Sequence, residues 1–422
     1  MVSLVLHYRR IARLALDVLL GAVETDPATA HVPVERAEGP DALVAVIRRH
    51  AATGRRPVVG WSFYSASFPE VAAELARVRA GTAGLDALHV AGGPHASADP
   101  EGTLAAGFDL AAIGEGEATL PALLAAVAEG RAPGTVPGLA WREGDRVRTS
   151  GRAAPVDLDA VPPCAPRAGR IGPLEITRGC VWACRFCQTP FLFRARFRHR
   201  SLESVRRWVR FHARLDARDV RFLTPSALSW GSPGAGCDLE AIEALLATAR
   251  EEAGPARRLF FGSFPSELRP EHVSERALAL VRRYCDNDAV IVGAQSGSER
   301  LLAEMGRGHG VEDVRRAVAL ARDAGFTVSV DFVFGLPGET GDDRADTRAL
   351  LRELADGGAR VHAHAFMPLP GTPWEAAGPG RIDPETGALL DRLASRGRAH
   401  GQWKRQQRLG FSAGKGDPSE SL

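Results

Sequence analysis

The stretch Glu175-Ile-Thr-Arg-Gly-Cys180-Val-Trp-Ala-Cys184-Arg-Phe-Cys187 decides how this chain is read. It follows the strand-like run Pro173–Thr177 and places three of the six cysteines within eight residues, while Cys164, Cys237 and Cys285 stand alone. Six cysteines in 422 residues are too few for a disulfide framework. In a reducing compartment a cluster of this kind is metal-binding or catalytic. Three thiolates on one short loop can bind three irons of a [4Fe–4S] cube and leave the fourth iron without a protein donor. An open metal position is what a catalytic site needs, whereas a closed one is structural. Structural zinc is the competing reading; it would need a fourth ligand such as His199, and two short ligand pairs are not seen.

Working outward, the pattern after residue 171 alternates strand and helix. Strand candidates are Pro173–Thr177, Asp219–Leu223, Arg258–Phe264, Asp288–Ala294, Phe326–Phe334 and Arg360–Phe366. Helical stretches separate them, as at Val311–Ala324, where Val311, Val314, Val318 and Ala321 share one side. Six such units predict a partial (β/α)6 TIM-like barrel over 171–390, with chemistry at the C-terminal ends of the strands, where the cysteines lie. Residues 391–422 read as a C-terminal helical segment, with a frayed tail from Gly410 to Leu422.

Residues 1–130 alternate on a shorter period, with strands Val2–His7, Pro57–Trp61, Leu85–Ala91 and Asp109–Ile113. The helix Pro69–Arg79 has a start signal in Ser67 and Glu70. The fold class is therefore α/β, opening on a doubly wound, flavodoxin-like parallel sheet whose ligands bind at the strands' carboxyl ends. Those ends carry Trp61-Ser-Phe-Tyr-Ser65, Gly92-Gly-Pro-His95 and Gly114-Glu-Gly-Glu117. Residues 131–170, rich in Pro and Gly with a hairpin signal at Glu143-Gly-Asp145, read as an interdomain linker.

Composition excludes other classes. Apolar residues at 45% and charged residues at 25% are ordinary for a globular chain, so disorder is not expected. No apolar run approaches the roughly 18 residues of a membrane span. The apolar start is broken by Arg9, Arg10, Arg13 and Asp17 and lacks a cleavage pattern, so a cytoplasmic protein without membrane contact is expected.

The cysteine spacing, with Phe186 before the last cysteine, resembles the signature of the radical S-adenosylmethionine (SAM) superfamily. Gly293-Ala-Gln-Ser-Gly-Ser298, Met305-Gly-Arg307, Asp331-Phe-Val-Phe-Gly-Leu-Pro-Gly-Glu339 and Pro368-Leu-Pro-Gly-Thr-Pro373 extend the likeness. Gly92-Gly-Pro-His-Ala96 and Gly114-Glu-Gly-Glu117 make the first 130 residues similar to the cobalamin (B12)-binding domain that precedes this barrel in one branch. The resemblance implies a [4Fe–4S] cluster on Cys180, Cys184 and Cys187, with SAM chelated by the remaining iron. Reductive cleavage of SAM then gives a 5′-deoxyadenosyl radical that abstracts hydrogen from an unactivated carbon. By motif position, Gln295 and Ser296 correspond to contacts with the ribose or methionine part of SAM. Arg307 lies near its carboxylate, and Asp331 is a ribose or amino partner. Gly335 and Leu336 belong to the turn lining the adenine, and Phe186 and Glu267 join the pocket. The resemblance also implies an external one-electron reductant of flavodoxin or ferredoxin type. No residue is singled out as catalytic.

The histidine fingerprint Asp-x-His-x-x-Gly of many cobalamin domains is absent, since the first strand runs into His7-Tyr-Arg-Arg10. Cobalamin can still be held by loops, with Ser62 and Ser65 touching its tail or ring and Gly92, Gly93 and Gly114 admitting its bulk. The alternative is a relic domain that gates substrate. With cobalamin, methyl transfer to an unactivated carbon of a small-molecule or peptide substrate is expected. Without it, oxidation, cyclisation or methylthiolation is expected, RNA included; a non-catalytic iron–sulfur protein is the third alternative. Nine arginines and one acid between 178 and 210, interleaved with aromatics, suit a nucleic-acid backbone. With no separate RNA-binding domain, they are read as walls of the site. His362 and His364 alternate onto one face and either meet substrate or fill the barrel.

Overall fold

The computed structural model describes residues 1–413, which form two compact units, Met1–Gly172 and Pro173 onward. The first unit carries strands β1 (Val2–His7), β2 (Val34–Ala37), β3 (Arg56–Ser62), β4 (Leu88–Gly92), β5 (Leu110–Ala112), β6 (Leu139–Glu143) and β7 (Arg146–Thr149) in the order 2-1-3-4-5-6-7. The first five are parallel and in the flavodoxin-like order, which puts the topological switch between β1 and β3.

Every residue of β1 is buried, because helices cover both faces of the sheet. Leu4 and Leu6 pack on one side with Leu16, Leu20, Leu123 and Leu124 of helices Arg13–Thr25 and Gly116–Ala128. Val5, Val59 and Trp61 pack on the other with Leu43, Ile47, Val71 and Leu75 of helices Gly39–Ala52 and Phe68–Gly81. Each such side chain contributes about 1.5–3 kcal/mol by leaving water.

Two expectations are corrected here, and one strand is added. Residues 131–170 are not a linker. The hairpin β6–β7 adds antiparallel to β5 and extends the sheet. Glu24 then accepts the backbone N–H groups of Arg167 and Ala168, and Arg170 pairs with Asp17. Ser67 does not cap its helix: a 3-10 turn at Ser65–Ser67 leads straight into it, and Glu70 pairs with Arg9 instead. Strand β2 escaped the sequence reading because Val34-Glu-Arg-Ala37, at the sheet edge, has little apolar content.

His89, 1% exposed on β4, accepts the Trp61 indole N–H on Nδ1 at 3.2 Å. Burial, helped by Arg79, pulls its pKa from 6.5 to about 4. The unfolded chain therefore takes up a proton that the folded chain refuses. This stability is complete above pH 6.5 and is lost as pH falls toward 4, at about 1.4 kcal/mol per pH unit. Urea unfolding at pH 7 and pH 5.5 should show the loss, and His89→Gln should reduce it, with His7, His212 and His309, depressed in the same way, supplying the remainder.

The second unit holds β8 (Leu174–Glu175), β9 (Thr177–Arg178), β10 (Arg198–His199), β11 (Asp219–Leu223), β12 (Arg258–Phe260), β13 (Ala289–Gln295), β14 (Thr327–Phe334), β15 (Arg360–Ala365) and β16 (Ala399–Gly401). Two parallel sheets, β12-β11-β8 and β13-β14-β15-β16, are joined by parallel bridges Thr224–Ser266 and Leu268–Val292, giving an open TIM-like barrel. Strand β16 replaces the purely helical ending that was expected. It fits because Gly401 lies where a Cβ would come within 2.2 Å of the Ala363 carbonyl oxygen. Helices Pro384–Ser395 and Trp403–Ala413 flank it. Residues 414–422, most of the expected tail, lie outside the described residues. Among the described residues no helix is long and apolar enough to cross a membrane.

Candidate active site

The cysteine loop leaves the barrel between β9 and the short helix Gln188–Leu192. Its entry is fixed by buried charge. Glu175 takes both guanidinium arms of Arg178 at 2.9 and 2.7 Å, and Arg200, 1% exposed, donates to the Glu175 carbonyl. Burial pushes the Glu175 carboxyl up, but Arg178, Arg200 and Arg198 hold it below the usual range. Gly179, at φ +83°, lets the chain turn where a Cβ would lie 2.2 Å from the Arg196 carbonyl oxygen. The loop is pinned to the chain at 305–306 by Arg185 N–H to the Met305 carbonyl (3.0 Å) and by Cys184 Sγ against the Gly306 carbonyl (3.7 Å).

Cys180, Cys184, Cys187, Phe186, Glu267, Gln295, Arg307 and Asp331 all line one cleft of about 300 Å3 at the C-terminal ends of the strands. Arg307, 4% exposed, is its central cation. It donates to the Gly293 carbonyl at 2.7 Å and to His309 Nε2 at 3.2 Å, and its third nitrogen lies 3.8 Å from Cys184 Sγ. Burial opposes its charge, yet Cys184 and Glu267 raise its pKa above the ordinary value. Burial raises that of Glu267, against the pull of Arg307. A Cβ on Gly293 would stand about 3.0 Å from both side chains, so the glycine allows them to converge. Gln295 is at φ +73° on a bulge of β13, a strained conformation of the kind that clusters at functional sites.

Three expected SAM contacts lie elsewhere. Ser296 is 1% exposed and its hydroxyl accepts the Ser298 N–H and meets Thr347. Gly335 is closed in by Gly380 and Arg381 and lines a separate small cavity beside Glu339, and Leu336 is buried. His199 is spent as well: Nδ1 meets the Thr177 hydroxyl at 2.9 Å and Nε2 the Ser232 carbonyl at 2.8 Å, which removes it as a fourth zinc ligand.

Sequence reasoning missed Arg269, and placed Trp182 only among the aromatics read as walls of the site. Arg269 stacks at 3.8 Å on the Trp182 ring, donates to Glu271 and to the Arg307 carbonyl, and puts a second guanidinium beside the cysteines. The signal was present in Glu267-Leu-Arg269, because alternation along an extended segment puts both ends on one face. Trp182 fills the space over Gly308, where a Cβ would come within 2.3 Å of its ring.

In the first unit, Ser62 is buried and Ser65 bonds to His95 Nδ1 at 3.2 Å. Gly92 is unobstructed, and Gly93, at φ +90°, is needed against Phe63 and Ser62. Gly114, at φ +96°, faces open space. His7 and His95 at this edge are both buried, and His95 stacks on Phe68 at 4.1 Å.

Comparison with family models matches residues 174–351 to the Radical SAM superfamily and residues 15–124 to the B12 binding domain. Residues 174–351 thus carry a radical SAM domain, and residues 15–124 a B12-binding domain. An uncharacterized protein of Methanopyrus kandleri is 29% identical over 68% of this chain and 62% of its own. A tRNA-2-methylthio-N(6)-dimethylallyladenosine synthase of Chlorobium phaeobacteroides is 34% identical over 43% of this chain and 40% of its own. The chain thus spans about three-fifths and two-fifths of these curated relatives. The radical SAM methyltransferase TsrM of Kitasatospora setae, solved with cobalamin and a [4Fe–4S] cluster bound, shares the fold at TM-score 0.69 and 23% identity, over 91% of this chain and 76% of that one.

The matched radical SAM domain implies a cluster and SAM, and the cleft fits them. Its three cysteines line one cleft, and His199, with both nitrogens engaged, supplies no fourth ligand. Burial raises the Cys180 thiol to about 11 and raises Cys187, so the bare thiols keep their protons until a metal displaces them. Arg307 against Cys184 Sγ is the kind of neighbour that tunes a ligating sulfur.

Proposed function

We propose that this protein reductively cleaves SAM and, with cobalamin, transfers a methyl group to an unactivated carbon of a small-molecule or peptide substrate. The observation that carries this reading is that three cysteines line one cleft together with Arg307, Glu267 and Gln295, in a chain whose other unit has the flavodoxin-like order. When bound, the cluster and SAM supply one-electron C–S bond cleavage and cobalamin supplies methyl transfer. Cys180, Cys184 and Cys187 hold the cluster. Arg307 and Arg269 keep positive charge beside it, suited to a carboxylate of SAM. Glu267, Gln295 and Asp331 offer acceptors for its amino and hydroxyl groups. Phe186, Trp182 and Val333 exclude water from the reacting volume. The electron comes from an external flavodoxin- or ferredoxin-type donor.

Support for cobalamin is the open space over Gly114 at the strand ends. Because His7 and His95 are buried, the corrin would be held by Ser65, Gly92, Gly114 and their backbone without a histidine on cobalt. A second reading, methylthiolation of RNA, is favoured by the similarity to the Chlorobium synthase. Against it, much of the arginine-rich segment is already paired internally: Arg178 with Glu175, and Arg206 and Arg210 with Glu252.

Anaerobically reconstituted protein incubated with hydroxocobalamin and gel-filtered should retain the corrin absorbance. With dithionite and SAM it should yield 5′-deoxyadenosine. Failure to retain corrin at excess would remove methyl transfer, and absence of 5′-deoxyadenosine with a full cluster would leave only an iron–sulfur protein.

A further inference from the structure

His364 lines the cleft but takes no part in the roles above. It stands on β15 next to His362, with ring centroids 4.3 Å apart. Asp331 on β14 and His400 on β16 complete the group: His362 Nδ1 lies 3.0 Å from Asp331, and the His362 and His400 rings stack at 4.7 Å. Ligand atoms of Asp331, His362 and His364 fall within 4.8 Å of one another, a spacing that suits a metal ion. The hydrogen bonds argue for a different use.

Gln406, on the helix Trp403–Ala413, sets the state of His364. Its side-chain carbonyl accepts the Ala365 backbone N–H at 2.9 Å, which fixes the amide's orientation. Its NH2 group is thereby turned to His364 Nδ1, 3.2 Å away. An NH2 group only donates, so Nδ1 must accept, and in a neutral imidazole the proton then resides on Nε2. Burial first, then His362, keeps the ring neutral. His362 differs: its Nδ1–H donates to the Asp331 carboxylate at 3.0 Å. A metal on His364 Nε2 would require the proton to move to Nδ1, against the Gln406 amide.

Resting on the proposed function, we infer that His364 is a substrate-recognition residue: Gln406 locks its proton on Nε2, and that N–H selects substrates presenting an acceptor, such as a carboxylate, an amide carbonyl or a pyridine-type nitrogen, near the carbon to be functionalised. A neutral imidazole N–H is too weak an acid to deliver its proton, so the residue orients and selects.

Nitrogen-15 NMR of the oxidised holoenzyme, labelled at histidine and assigned with His364→Gln, tests this without turnover. The expected spectrum has a pyridine-type Nδ1 and a pyrrole-type Nε2 for His364. Gln406→Glu, whose carboxylate accepts from both Ala365 and the ring, should exchange the two. A protonated Nδ1 in the unmodified protein would overturn the inference. So would stoichiometric uptake of Zn2+ by the holoenzyme that His362→Ala abolishes. Once a substrate is known, His364→Phe should raise KM roughly tenfold, with His364→Gln, which keeps a donor, closer to the parent; equal KM values for all three would also overturn it. The tautomer is read independently of SAM cleavage, so failure here and failure of the proposed function are separate results.

Discussion

Cys180→Ala, Cys184→Ala and Cys187→Ala are each expected to abolish the iron–sulfur chromophore and SAM cleavage while leaving the protein folded. Among the described residues no fourth cysteine lines the cleft to replace a lost thiolate, and His199 has both nitrogens engaged. The loop's shape is held chiefly by Glu175, Arg178, Arg200 and Gly179, the sulfurs adding only the Cys184 contact to the Gly306 carbonyl. Truncating one buried sulfur removes little apolar volume, so unfolding free energy of the metal-free variants should fall by about 1 kcal/mol or less. Iron content and visible absorbance after anaerobic reconstitution, with thermal melts alongside, check both halves. A variant that retained four irons per chain would show that the assignment is wrong.

The second large effect is expected at Arg307. Its guanidinium is enclosed by Gly293, His309 and Cys184 and faces the buried Glu267. Arg307→Met leaves Glu267 with Arg269 alone as a nearby cation and the Gly293 carbonyl without its donor. Losing a buried hydrogen bond from a charged group costs about 1.5–3 kcal/mol. Because the loss is one of pairing, Arg307→Met/Glu267→Gln should recover part of it, and a double-mutant cycle reads the coupling. Urea unfolding of the four proteins supplies the values. Arg307→Met within 1 kcal/mol of the parent would mean that the cleft does not depend on this ion.

The parts of this molecule that were legible from sequence are those where one local rule decides. Strand-like runs alternating with one-sided helices gave the flavodoxin-like sheet and the open barrel, β1 reading as a fully buried run and β14 and β15 as alternation of buried apolar with mostly polar residues. The cysteines were legible because their spacing is short and self-contained. Features set by distant partners were not. Strand β16 exists because Gly401 fits against Ala363. The 131–172 segment is ordered by Glu24 and Asp17, more than a hundred positions earlier. Ser296, Gly335 and Leu336 sit in motifs that resemble SAM contacts, yet hydrogen bonding and packing turn them away from the cleft. The state of His364 depends on Gln406, 42 residues away.

The most direct measurement is electron–nuclear double resonance on the reduced, reconstituted protein with SAM carrying 15N in its amino group and 17O in its carboxylate. Couplings from both labels to the cluster are expected, with their loss when unlabelled SAM is used. A cluster that shows no coupling to either label, or whose four irons all carry protein donors, would contradict the account.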